Sequence, residues 1–236
     1  MKWIYLKSNN LADALALATV LFHSGLEYHI VRRSCISPFF SNMDNVHIDF
    51  YEKSEGSELI VINEVDSDSW KQKCDSIAAC LNIGELDSYK PYSGFVKTFD
   101  ISGYLSQDKN YCLLYMFPHP DLRIDFIFID QVIRIFEQQG VKAISGGSNM
   151  LPCIHGSLDL RQVVDVLKLC SLFDKVKFVI TTERDIASIC EAFDTKAFVI
   201  AAGEQMKLDG FVMHDSNEMV NYINSSLKFE YMATQP

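Results

Sequence analysis

Polar side chains with catalytic potential follow the first predicted strand. Ser8, Asn9, Asn10 and Asp13 lie between the apolar segment at residues 3–6 and a helix rich in alanine and leucine. Backbone N–H groups and the dipole at the start of a helix favour an anion or a polar substrate there. The segment lacks the glycines of dinucleotide-binding and P-loop motifs, so we expect a different ligand class. The structural alternative is that Asp13 only complements the helix dipole.

A second group of polar residues follows a strand late in the chain. Thr182, Glu183, Arg184 and Asp185 separate the predicted strand KVKFVI from the predicted helix IASICEAF. Helix capping accounts for Thr182 and Asp185. Glu183 and Arg184 have no evident structural duty, which makes them candidates for ligand binding.

Other loops add further candidates. His119 and Arg123 lie in the segment FPHPDLR, where two prolines stiffen the chain around His119 and Arg123 could pair with a phosphate. Gly146 and Gly147 end a predicted strand and would let a ligand or another backbone approach closely. An ordinary tight turn is the alternative explanation of these two glycines. His155 is one more loop candidate.

The same sequence disfavours several reaction and partner classes. No Ser/His/Asp spacing, no HExxH and no carboxylate pair defines hydrolytic chemistry. The seven cysteines form no CxxC or Cys/His cluster, which indicates buried free thiols in a reducing compartment and no metal site. A net charge of −10 disfavours nucleic acid as a partner, with Arg32 and Arg33 as the only adjacent arginine pair. No apolar run reaches the roughly 20 residues that cross a bilayer, so we expect a cytoplasmic protein.

The order of predicted elements indicates an α/β fold that positions these residues. Strands and helices alternate in the first part of the chain, and the same alternation restarts after turn-rich sequence near residues 95–112. We predict two Rossmann-like halves, residues 1–104 and 105–236, with the last helix, about residues 216–227, close to the second half. Ligands of open α/β sheets bind beyond the carboxyl ends of the strands. The loops named above should therefore open onto a cleft between the halves.

Taken in order, these segments resemble the GT-B glycosyltransferases, in particular the ADP-heptose:lipopolysaccharide heptosyltransferase family. The segment from Lys7 to Asp13 is similar to the family's K-[ST]-x-x-x-x-D opening, although Ala12 stands where the family usually has Gly. The family's D-[ST]-G-x-x-H motif corresponds to residues 183–188, which keep an acid and lack the Gly and the His. The similar layout covers nearly the whole chain, which is shorter than a usual family member.

The resemblance implies transfer of a sugar from a nucleotide-sugar, bound mainly by the second half, to a saccharide or other hydroxyl acceptor, bound mainly by the first. Asp13 would be the general base. Because Asn can also accept a hydrogen bond at the start of a helix, Asp13→Asn would lower the stability by at most about 1 kcal/mol. Acceptor-binding residues would be Ser8, Asn9 and Asn10. Donor-binding residues would be His119, Arg123, Gly146, Gly147, Thr182, Glu183 and Arg184. GT-B enzymes generally need no bound divalent ion, so no metal and no cofactor is expected beside the nucleotide-sugar.

Two alternatives stay open at this stage. The first is a non-catalytic nucleotide- or sugar-binding module on the same fold, motivated by the short chain and by the altered motif at residues 183–188. The second is a phage-type glycosyltransferase that modifies a base in DNA, against which the net charge of −10 argues. The sequence does not identify the donor, the acceptor, the stereochemical outcome or the oligomeric state.

Overall fold

A computed structural model of the chain describes residues 2–33, 36–52, 55–67, 69–94, 105, 110–118, 126–151, 154–161 and 166–199. The first half contains β1 (Lys2–Leu6), α1 (Leu11–Ser24), β2 (Tyr28–Val31), β3 (Val46–Asp49), β4 (Glu58–Ile62) and α2 (Trp70–Cys80), with a short 3-10 helix (Ser37–Phe40) before β3. The four strands form one parallel sheet in the order β3-β2-β1-β4.

The second half repeats this alternation of strands and helices. Its elements are β5 (Tyr111–Met116), α3 (Phe126–Gln138), β6 (Lys142–Gly147), β7 (Leu158–Asp159), α4 (Val166–Leu172), β8 (Phe178–Thr181), α5 (Arg184–Ala192) and β9 (Lys196–Val199). Its strands form a separate parallel sheet in the order β7-β6-β5-β8-β9. The predicted α/β fold with parallel sheets is confirmed. The sequence did not predict strand β7, which is only two residues long. The predicted helix at residues 216–227 lies outside the described residues.

Helix α1 is buried along most of its length. Its composition favours a helix, and every residue from Ala12 to Leu21 is buried, as in a helix that is covered on all sides. The helix begins at Asn10, whose side-chain oxygen accepts hydrogen bonds from the N–H groups of Ala12 (2.9 Å) and Asp13 (3.2 Å). It ends at Gly25, whose φ of 62° is the left-handed conformation common after a helix.

One hydrophobic core connects the two sheets. It includes Ile4 of β1 and Leu15 of α1 from the first half, together with Leu113 of β5 and Ile189 of α5 from the second. Helix α1 packs against both α2 and α5. A smaller core lies on the other face of the second sheet, where α3 contributes Phe136. Because the main core is shared, the division into domains at residues 1–104 and 105–236 stays a prediction.

The described cysteines match the expectation of free thiols. Cys74, Cys112, Cys170 and Cys190 are buried and Cys80 is exposed, and none of the five forms a disulfide. Burial is the largest cause that raises the pKa of the Cys74 thiol to about 12. The four buried thiols therefore behave as small apolar side chains, whereas Cys80 departs from the expected burial. Within the described parts of the chain, no helix is long and apolar enough to cross a membrane.

Candidate functional site

A polar pocket of about 600 Å³ opens where β1 and β4 end. Its lining residues are Lys7, Ser8, Asn9, Asn10, Asn63, Glu64 and Asp185. Lys7 follows β1, Asn63 follows β4, and Asp185 lies in the first turn of α5. The carboxyl ends of adjacent parallel strands thus meet the start of a helix from the second half, which is the usual place for a ligand in an open α/β sheet. The predicted acceptor-binding residues Ser8, Asn9 and Asn10 all lie here.

The loop after β1 is held in a fixed conformation. The Ser8 hydroxyl accepts a hydrogen bond from the Asn10 N–H at 2.9 Å. The Arg33 guanidinium donates to the carbonyl oxygens of Leu6 and Ser8 and to the side-chain oxygen of Asn9. Arg33, which the sequence offered only as half of a basic pair, therefore supports the pocket wall, and its charge is directed inward to this loop.

Asp13 is not one of the residues that line the pocket. Its carboxylate is fully buried and accepts hydrogen bonds from Lys73 Nζ at 2.9 Å and from the Val65 N–H at 3.2 Å. Lys73 is only 3% exposed and also donates to the Val65 carbonyl oxygen at 2.8 Å. Both Asp13 oxygens are thus engaged by the protein, one by each donor. The predicted role of Asp13 as general base stays a prediction, and it requires these contacts to open.

Sequence reasoning missed Asn63 and Glu64 of the pocket lining, and it missed Lys73, the partner of Asp13. For Lys73 a signal was present, because Trp70, Lys73, Cys74 and Ile77 share the helical spacing of one buried face of α2. A lysine in such a stripe must find a carboxylate partner, since an unpaired buried charge is costly. The partner, Asp13, lies 60 positions away along the chain, and the sequence pattern does not identify it.

Asp185 connects the pocket to the second half. Its Oδ1 accepts a hydrogen bond from Asn10 Nδ2 at 2.5 Å, so the first turns of α1 and α5 are joined directly. Burial is the main cause that raises the Asp185 pKa above its ordinary value, and the Asp13 and Glu183 charges raise it further. The Lys73 charge and the Asn10 hydrogen bond act in the opposite direction. The sequence had offered helix capping for Asp185, but the N-cap position of α5 is Glu183, whose side chain makes no capping bond, and the Asp185 side chain accepts from Asn10 of α1.

The residues before Asp185 are tied to the end of β5. The Thr182 hydroxyl accepts a hydrogen bond from the Phe117 N–H at 2.9 Å, and it lies 3.2 Å from Glu183 Oε1. The Glu183 N–H in turn donates to the Thr181 hydroxyl at 3.0 Å. Thr182 therefore has a structural duty other than the expected cap. Donor binding by Thr182, Glu183 and Arg184 stays a prediction.

The remaining predicted site residues are placed as follows. His119 and Arg123 lie outside the described residues. His155 is exposed in the turn before β7. Among the residues that the structure describes, no cluster of three or more His, Cys, Asp or Glu side chains could hold a metal ion.

Gly146 and Gly147 end β6 beside β5. Gly147 has a φ of 85°, and a Cβ at this position would lie 2.3 Å from the Met116 carbonyl oxygen. A Cβ at Gly146 would meet the Tyr115 ring at 3.0 Å. Close packing of β6 against β5 is thus sufficient to require small residues here, and a ligand contact at these glycines stays a prediction.

We expect Gly147→Ala to lower the free energy of unfolding by about 3 kcal/mol or more, because the substitution combines left-handed strain with a clash against backbone. Gly140→Ala is the matched control. Gly140 has a φ of 69° but nothing within 4 Å of the added Cβ, so only the strain of about 1–2 kcal/mol applies. Urea unfolding of both variants measures the difference. Equal losses would show that the Met116 backbone yields to the extra carbon.

Compared by sequence, the chain matches no family profile and no curated protein. Compared by structure, it is similar to the E. coli heptosyltransferase WaaC with ADP, with a TM-score of 0.62 at 10% identity over 97% of this chain and 98% of that chain. WaaC with ADP-2-deoxy-2-fluoro heptose gives a TM-score of 0.58 at 9% identity over 99% of each chain. A family 9 glycosyl transferase from Veillonella parvula gives 0.64 at 8% identity over 97% of each. The resemblance to heptosyltransferases is confirmed at the level of the fold.

Proposed function

We propose that this chain transfers a sugar from a nucleotide-sugar to the hydroxyl group of an acceptor, without a metal ion. The observation that carries the proposal is the polar pocket at the ends of β1 and β4, which α5 of the second half closes with Asp185. This pocket lies on a fold that is similar to solved heptosyltransferases. Fold alone does not determine function, so the proposal depends on what this pocket can bind.

The lining of the pocket suits a ligand rich in hydroxyl groups. Asn63 carries an amide that can both donate and accept hydrogen bonds, and Ser8 adds a hydroxyl. The side-chain oxygens of Asn9 and Asn10 already accept hydrogen bonds within the protein, so these two residues add amide N–H groups. Neighbouring hydroxyls of a sugar need such mixed donors and acceptors. With one lysine, Lys7, against the carboxyl groups of Glu64 and Asp185, the lining also carries no excess of positive charge for a phosphate. We therefore assign this pocket to the acceptor and place the donor on the second half.

The donor site follows from the resemblance. The two halves would face each other across a cleft, with the diphosphate of the donor held by Arg123 and its sugar oriented by Glu183. Positive charge at the diphosphate would stabilise the leaving group as the bond to the sugar breaks. In other enzymes a metal ion provides this charge. His119, Thr182, Arg184, Gly146 and Gly147 would complete the donor site.

ADP-heptose is the first donor to test. One of the similar structures holds ADP and another holds a fluorinated ADP-heptose. A true donor, at a free concentration of about 100 times its dissociation constant, would add roughly 2.7 kcal/mol to the free energy of unfolding. A thermal-shift panel of ADP, ADP-heptose, UDP-glucose and GDP-mannose identifies the nucleotide. Release of free nucleotide that depends on an added saccharide then shows that the chain transfers the sugar.

The two rival functions give different results in the same panel. A binding module would be stabilised by a nucleotide or nucleotide-sugar and would release no product with any saccharide. A DNA-modifying enzyme would bind duplex DNA with an affinity that falls as salt rises. The net charge of −10 and the engagement of Arg33 with the loop after β1 speak against the DNA substrate.

We expect Asn63→Leu to raise the KM of the saccharide acceptor at least about 10-fold, because it removes an amide that would hydrogen-bond the acceptor hydroxyls. The stabilisation by the donor should not change. Gln131→Leu makes the same replacement of an exposed amide on α3, away from the pocket lining, and should leave both values as they are. If Asn63→Leu weakened binding of the donor and left the KM of the acceptor unchanged, this pocket would be the donor site and not the acceptor site.

A further inference from the structure

Two carboxyl groups lie close to the starts of α1 and α5, and they differ in accessibility. Asp13 is fully buried, with one oxygen on Lys73 Nζ and the other on the Val65 N–H. Asp185 lines the pocket. Its Oδ1 accepts the Asn10 amide hydrogen bond, whereas its Oδ2 accepts no hydrogen bond from any residue that the structure describes. Of these two, only Asp185 therefore presents a carboxylate oxygen to the pocket. Glu64 also lines the pocket, but among the described residues only Asp185 of the two lining carboxylates is held by a side-chain hydrogen bond, from Asn10.

We propose that Asp185, and not Asp13, accepts the proton of the acceptor hydroxyl, and that the buried pair of Asp13 with Lys73 positions the site. This inference rests on the proposed sugar transfer. In the step, the acceptor O–H proton passes to Asp185 Oδ2 while the acceptor oxygen uses its lone pair to form a bond to the anomeric carbon. The bond from that carbon to the diphosphate oxygen breaks, and its electron pair leaves with the nucleoside diphosphate. The proton is later lost to water.

The surroundings of Asp185 hold the carboxylate in a fixed orientation. Asn10 is itself immobilised, because its side-chain oxygen caps α1 while its Nδ2 donates to Asp185 Oδ1. This arrangement leaves Oδ2 available and limits rotation of the carboxyl group. Lys73 forms an ion pair with Asp13, and its charge also acts on Asp185. Neither Lys73 nor Asp13 lines the pocket, so the pair leaves the pocket open.

The charges around Asp185 also suit proton transfer. Burial raises the Asp185 pKa, and Asp13 and Glu183 add to the increase, while Lys73 and Asn10 counteract it. Lys7 and Glu64 are the other charged residues of the pocket lining. A carboxylate with a raised pKa is a stronger base than an ordinary one, because its pKa lies closer to neutral pH. The direction of the shift is therefore the one that a general base needs.

The test compares Asp185→Asn with Asp194→Asn, which makes the same replacement at an exposed position just after α5. Both are assayed for nucleotide release from ADP-heptose, or from the member of the donor panel that gives turnover, with the saccharide acceptor identified there. We expect Asp185→Asn to lower kcat/KM by about 10²- to 10⁴-fold and to abolish the fall of kcat/KM toward acid pH. Asp194→Asn should leave the rate and the pH profile unchanged.

A second variant separates chemistry from folding. In Asp185→Ala the missing carboxylate leaves room for formate, and added formate should restore part of the lost turnover, which a merely structural defect would not allow. Wild-type turnover by Asp185→Asn, or no recovery of Asp185→Ala with formate, would remove Asp185 from the mechanism and leave sugar transfer intact. Absence of turnover by the wild-type chain with every donor of the panel would overturn the proposed function and this inference together.

Discussion

Lys73→Met should lower the free energy of unfolding by about 3–5 kcal/mol, because it leaves the Asp13 carboxylate buried without its partner. Methionine fills a similar volume to the lysine stem, so the loss reports the charge and not a cavity. The Lys73 ammonium also satisfies the Val65 carbonyl oxygen at 2.8 Å, and this bond is lost as well. Urea unfolding at pH 7 followed by circular dichroism measures the change.

Two further variants control this prediction. Lys71→Met alters an exposed lysine on the same helix whose ammonium lies 5.3 Å from the centre of the Tyr89 ring, and it should cost no more than about 1 kcal/mol. The double variant Asp13→Asn with Lys73→Met should be more stable than Lys73→Met alone, since no buried charge stays unpaired. A loss below about 1 kcal/mol for Lys73→Met would show that water reaches this pair and that Asp13 is more accessible than its burial indicates.

The parts of the fold that the sequence predicts are those governed by local pattern. Alanine and leucine at helical spacing predict α1, and short apolar segments separated by helices predict two parallel sheets. The location of Ser8, Asn9 and Asn10 at a pocket also follows, because the loop after a parallel strand lies at the ligand-binding edge of the sheet. These inferences need only residues that are close together along the chain.

The parts that the sequence does not predict depend on how distant elements pack. The hydrogen bond between Asn10 and Asp185 joins residues 175 positions apart. The Glu191 carboxylate of α5 likewise accepts a hydrogen bond from the Trp70 N–H at the start of α2. Periodicity shows that these helices have buried faces but not which helix covers which face. For this reason the sequence singled out Asp13 as a candidate, and its role as base stays a prediction, while its partner Lys73 and the accessible carboxylate of Asp185 became visible only in the structure.

Asp13→Asn and Asp185→Asn together should distinguish the two candidate bases. We expect Asp13→Asn to lower mainly the stability and Asp185→Asn to lower mainly the transfer rate. The sequence alone suggested a cost of at most about 1 kcal/mol, as for an acid that complements a helix dipole. The structure raises this expectation to about 3–5 kcal/mol, because Asn10 provides the cap and Asp13 provides the partner of a buried lysine. If Asp185 is the base, folded Asp13→Asn should transfer sugar within about 10-fold of the wild-type rate, since the accessible oxygen is untouched.

The measurement is made where the variant is folded, with the rate divided by the folded fraction from circular dichroism at the assay temperature. The double variant Asp13→Asn with Lys73→Met provides the control, because it removes the unpaired lysine and should recover stability without a further change in rate. Asp185→Asn should show the reverse pattern, a large loss of rate in a protein at least as stable as the wild type at neutral pH, where the raised pKa of Asp185 makes its charge unfavourable. A folded Asp13→Asn variant whose transfer rate falls by about 10²- to 10⁴-fold would instead return the role of base to Asp13 and require the buried pair to open during the reaction.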